Sequence, residues 1–62
     1  MDLFVPCTDE NYQALATVAV FIGEHREITA DASGITFHDL SGEEEAVAIQ
    51  ASIQRFTDNP VL

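Results

Sequence analysis

The chain has 62 residues, and eleven Asp and Glu against two Arg and no Lys give it a formal net charge of −9. A chain this acidic repels nucleic acid and anionic lipid, so direct DNA, RNA or membrane-surface binding is not expected. Hydrophobic residues make up 47% of it, too many for a disordered acidic tail, and a folded domain is expected instead.

At this length residues 1–62 form one small acidic domain, which buries only about 60% of its unfolded surface. Cys7 is the single cysteine, so no disulfide within the chain can add stability. The longest apolar run is too short to cross a bilayer and follows an acidic start, which argues against a membrane helix or a secretory leader. The expectation is a soluble, cytoplasmic protein.

In chain order, Asp2 to Val5 is a short run rich in apolar residues, closed by Pro6. It reads as a short first strand, and a proline at its end suits a sheet edge or a strand terminus. Thr8 to Gly23 reads as a helix. Thr8 can accept a first-turn N–H, Asp9 and Glu10 sit where the helix dipole favours negative charge, and Gly23 can supply a left-handed cap. Tyr12, Leu15, Ala16, Ala19 and Ile22 form the predicted core stripe. Val18 and Phe21 lie off it. Either they wrap onto the edges of the core, or they form a second buried face, made by a homodimer or another protein. The β-branched and aromatic run Thr17 to Ile22 would also suit a buried strand; the caps favour helix.

Glu24 to Leu40 reads as a β-hairpin. Asp31-Ala32-Ser33-Gly34 has the residue types of a type I turn. Pairing Ala30 with Ile35 sets Ile28 opposite Phe37, Thr29 opposite Thr36, Glu27 opposite His38 and Arg26 opposite Asp39. That register makes one face apolar and the other polar, and a slip of one residue would destroy the division.

Ser41 to Glu44 carries the residue types of a capping box, and Ala46, Ile49, Ile53 and Phe56 continue as a helical stripe, ended by Asn59-Pro60. Val47, Ile49, Ala51 and Ile53 also alternate as a strand would; the Glu, Ala and Gln content favours helix. The fold class is therefore α+β. A β-α-β-β-α domain is expected, with a three-stranded, mainly antiparallel sheet and two helices packed on one face.

Candidate chemistry is sparse. Cys7 precedes a helix N-terminus, where a thiolate is stabilised, but nothing in the sequence places a histidine beside it, and an inert core residue is expected. His25, Glu27, His38 and Asp39 gather near the open end of the hairpin. Their spacing matches no standard metal site, and a cross-strand Glu27–His38 hydrogen bond is expected instead. Glu43, Glu44 and Glu45 are explained by a capped helix start, without an ion. No phosphate loop or nucleophile motif is present. No enzyme, cofactor or metal is expected.

The remaining reading is a protein-binding module whose partner has a basic surface. Asp9, Glu10, Glu24, Glu27, Asp31, Asp39, Glu43, Glu44, Glu45 and Asp58 would stand in for phosphates, as in a DNA mimic. In size and charge the chain resembles small inhibitors of restriction or CRISPR systems. The alternative is a homodimeric structural or regulatory protein, acidic because it is adapted to high salt, with Val18 and Phe21 at its dimer face. Mimicry wants carboxylates concentrated on one face, and along the sequence they are spread out.

Overall fold

The computed structural model describes Met1–Asn59. Its elements are β1 (Leu3–Pro6), α1 (Tyr12–Ile22), β2 (Ile28–Ala30), β3 (Gly34–Phe37) and α2 (Glu43–Asp58). This is the expected β-α-β-β-α domain. The strands form one open antiparallel sheet in the order β1-β3-β2. The segment that could have been read as strand or helix, 46–56, is helix throughout. Pro60, the expected stop, lies outside the described residues.

The hairpin register is the predicted one: Ile28 opposite Phe37, Thr29 opposite Thr36, Ala30 opposite Ile35. Asp31 builds the turn. Its Oδ1 accepts the N–H groups of Ser33 at 2.7 Å and Gly34 at 3.2 Å, the local bonding that suits Asp to turns. β1 pairs on the other side of β3, from Leu3 opposite Phe37 to Pro6 opposite Gly34. Pro6 lies on an edge strand, where its missing N–H can face away from the ladder.

One core joins the sheet to both helices. Val5 and Phe37 meet Ala14, Leu15, Val18 and Ala19 of α1 and Ala46, Ile49 and Ile53 of α2, with Leu40 closing one end. Phe37 and Leu15 are the most deeply buried large side chains. The opposite face of the sheet carries Phe4, Thr29, Thr36 and His38 and is left open.

Four local expectations are corrected. First, α1 begins at Tyr12, one turn later than Thr8. Thr8 still caps the approach: its Oγ1 accepts the Asn11 N–H, and Asn11 Oδ1 accepts the Thr8 N–H. Second, the core face of α1 is rotated. Ala14 and Val18 are buried while Tyr12 and Ala16 are exposed, because turning this way buries branched Val18 and leaves the Tyr12 hydroxyl in water. Val18 is therefore a core residue and no part of an outer contact face. Third, Gly23 has φ −62° and is not a left-handed cap. A Cβ there would stand 2.9 Å from the Ala19 carbonyl oxygen, so the site needs glycine for space. Fourth, Arg26 precedes β2 and reaches α2. Its Nε lies 3.1 Å from Glu45 Oε2, in place of the expected pairing with Asp39.

Candidate functional site

The topology sorts the carboxylates into two groups. β1 and β3 run in opposite directions, so the start of β1 lies beside the end of β3, and Leu40 N–H bonds to the Met1 carbonyl at 2.8 Å. α2 begins next to that junction. α1 ends just before β2, and Arg26 ties this connection to Glu45. One end of the molecule thus carries Asp2, Glu24, Glu27, Asp39, Glu43, Glu44 and Glu45, seven of the eleven acidic residues. At the opposite end, Cys7 N–H bonds to the Ser33 carbonyl at 2.9 Å, and the turn before α1 faces the last turns of α2. Asp9, Glu10, Asp31 and Asp58 lie there. In space the carboxylates are divided between the two ends, seven at one and four at the other.

Not all of these groups are free to meet a partner. The expected capping box does not form: the N-cap of α2 is Gly42, with no side-chain cap. Ser41 instead donates its N–H at 2.7 Å and its hydroxyl at 3.1 Å to Glu45 Oε1, while Arg26 Nε donates to Glu45 Oε2. Asp31 is spent on its turn. Asp2 Oδ2 lies 3.1 Å from His38 Nδ1, Oδ1 accepts the Asp39 N–H at 3.1 Å, and His38 Nε2 lies 2.8 Å from Thr29 Oγ1. The His38 ring therefore bonds to Asp2 and Thr29, which flank it on the open face, and not to the Glu27 carboxylate as expected; the His38 backbone N–H does pair with the Glu27 carbonyl, at 2.9 Å. Glu24, Glu27, Asp39, Glu43 and Glu44 remain. All five are exposed, and among the described residues their carboxylates make no hydrogen bond. Asp39 is also the one non-glycine residue with positive φ among those described, at 58°, a conformation that Asp tolerates better than most residues.

Asp2, His38 and Thr29 have the connectivity of an acid–base–hydroxyl relay. They lie on the open sheet face, and the cavity described below lies elsewhere. Their evident role is to stitch β1, β3 and β2 together. Among the described residues no three His, Cys, Asp or Glu side chains converge as a metal-binding set. Cys7 is exposed and not the core residue expected, since the chain has already left the sheet when it reaches it.

Two carboxyls are perturbed. The Asp39 N–H, then His38, hold Asp2 below its usual range, and the Ser41 N–H, then Arg26, do the same for Glu45. A lowered folded-state value means that the charged form is favoured by folding. The stabilisation is complete above the ordinary carboxylate range and is lost as pH falls through the lowered values. Urea midpoints of the wild type and of the double variant Asp2→Asn/Glu45→Gln should therefore differ at pH 7 and converge as pH falls below the ordinary carboxylate range. A gap of constant size across that range would disprove the assignment.

A groove of ≈ 350 Å³ opens between the Thr8–Asn11 turn and α2, with Val5 and Ile53 as apolar floor and Glu10, Gln50, Gln54, Thr57 and Asp58 among its walls. Sequence reasoning missed it because its two walls lie far apart in the chain. Exposed apolar side chains include Phe4 on the open sheet face, Tyr12, Val20 and Phe21 on α1, and Val47 on α2. No helix among the described residues is long and apolar enough to cross a membrane. No protein-family model, curated protein or solved structure matches the chain.

Proposed function

We propose that the protein is a small acidic binding module whose seven-carboxylate end docks on the basic, nucleic-acid-binding surface of a partner protein, acting as a DNA-mimic inhibitor. The observation that carries this reading is the gathering of carboxylates at one end, with a single guanidinium partner, Arg26, among the described residues. An excess of charge of one sign, held on a folded surface, gives fast and orientation-specific encounter with the opposite sign. Anti-restriction or anti-CRISPR targets fit that chemistry.

The test is competition with duplex DNA for restriction and CRISPR nucleases, measured from about 0.05 to about 0.5 M salt. Binding should weaken by about tenfold or more over that range. The variant Glu24→Gln/Glu43→Gln/Glu44→Gln should lose binding, whereas Asp9→Asn/Glu10→Gln, at the far end, should retain it. Salt-insensitive binding, or equal losses in both variants, would refute mimicry by this end.

The alternative, an acidic surface adapted to high salt in a homodimer, is favoured by the four carboxylates at the opposite end, which a one-ended mimic does not use. It requires that the chain lose its helical circular dichroism at low salt and regain it at molar salt, where repulsion is screened.

A further inference from the structure

The groove between the Thr8–Asn11 turn and α2 is built for a ligand of one sign. Its floor is apolar and belongs to the core: Val5 and Ile53 are 8% and 5% exposed. Around that floor the hydrogen-bond donors are largely spent within the protein. Asn11 Nδ2 donates to the Pro6 carbonyl at 2.9 Å, Thr57 Oγ1 to the Ile53 carbonyl at 2.7 Å, and Gln54 Nε2 to Asp58 Oδ1 at 2.9 Å. The acceptors are not spent. Among the described residues Asp58 Oδ2 and both carboxylate oxygens of Glu10 take no hydrogen bond. Asp58 is also the last helical residue of α2, where the helix dipole opposes a carboxylate and favours a cation. No such cation is supplied from within: among the described residues no Lys, Arg or His lines the groove, and no ion pair joins Arg55 to Asp58 or Glu10.

We propose that this groove binds a linear aliphatic amine, its alkyl chain on Val5 and Ile53 and its ammonium taken by the Glu10 and Asp58 carboxylates. Two arguments select this class of ligand. The first is the floor. Covering Val5 and Ile53 takes apolar surface out of water, which an alkyl stem does and a bare ammonium or a hydrated metal ion does not. The second is the balance of donors and acceptors. An ammonium brings three donors and no acceptor, which matches walls that have acceptors to fill. An anion would meet two like charges, and an alcohol would leave both carboxylates unanswered. The volume of ≈ 350 Å³ is at the small end for ligand sites, which begin at about 300 Å³, and suits a chain of a few carbons. Both carboxylates are exposed, so each ion pair contributes little and the affinity is modest. The site is independent of the docking of the seven-carboxylate end, because it lies at the opposite end and uses other carboxylates.

Methyl NMR spectra of the full chain at constant ionic strength test this with three probes. Pentylamine should shift the Val5 and Ile53 methyl signals and reach saturation. Pentanol, the same stem without the charge, should bind about fivefold or more weakly. Ammonium chloride, the charge without the stem, should leave those methyls unmoved. In Glu10→Gln/Asp58→Asn the preference for amine over alcohol should vanish. Should that variant lose its helical circular dichroism, Glu10→Gln alone, in the turn before α1, should lower the preference by about twofold. Glu24→Gln/Glu43→Gln/Glu44→Gln should bind pentylamine as the wild type does, which separates a built site from the general attraction of a cation to a chain with a net charge of −9. Equal binding of amine and alcohol, shifts that spread over the acidic surface without saturating, or a preference that survives loss of Glu10 and Asp58 overturns the proposal. Glu10→Gln/Asp58→Asn should keep its competition with DNA, so the amine site and the docking of the acidic end stand or fall separately.

Discussion

Gly34→Ala should prevent β1 from joining the sheet. Gly34 starts β3 directly opposite Pro6, and β1 passes so close that an added Cβ would overlap the Val5 carbonyl oxygen, stand 2.8 Å from Pro6 Cα and 3.0 Å from Phe4 Cζ. Two of these three obstacles are backbone, which cannot swing aside as a side chain does. The backbone angles at Gly34 are ordinary, so the requirement is for space alone. Overpacking of this kind costs about 3 kcal/mol or more once strand contacts are lost with it. A 62-residue domain has only roughly 3–9 kcal/mol in total. The expected outcome in urea unfolding is a midpoint near zero denaturant. Amide exchange should show that protection of Leu3 to Val5 is lost first. A variant with the wild-type midpoint would mean that β1 is not seated against Gly34.

Phe37→Ala should be nearly as damaging for the opposite reason. Phe37 is fully buried, at 0% exposure, and stands opposite both Leu3 and Ile28, so it joins all three strands to the helices. Truncating a buried Phe costs about 3–5 kcal/mol, part for lost transfer and part for the cavity. At the lower limit of domain stability, that empties the folded state. Phe37→Leu keeps most of the volume and should cost about 1.5 kcal/mol or less. Thermal unfolding of the two variants gives the comparison, and equal midpoints would show that the core does not close around this ring.

The hairpin was the most legible part of the sequence. Its turn chemistry and its alternation are separate signals, and both gave the same pairing. The helices were legible as helices, but not in rotation. Ala14, Ala16, Val18 and Ala19 differ too little in size for a stripe to be read from composition alone, and only contact with the sheet selects Val18 over Ala16. The Ser41–Glu44 capping box misled because Gly42 takes the cap position and Ser41 turns its donors to Glu45, which Arg26, nineteen residues earlier, also holds. The acidic end was illegible for a stronger reason. Glu24, Asp39 and Glu43 become neighbours of one end only after β1 crosses β3 and α2 returns along α1, and no local pattern encodes that.

The strand order β1-β3-β2 also sets the sequence of events when the protein opens. β2 and β3 close on each other through a tight local turn, while β1 reaches β3 only across the whole of α1. The entropy of closing that long loop is recovered last on folding, so β1 is the strand with least claim to its place. When it lifts, β3 shows a bare edge of backbone donors and acceptors, the kind of template that seeds aggregation. At that moment a surface with a net charge of −9 holds other opened chains at a distance. The acidity then opposes association of a marginal fold through its own fluctuations.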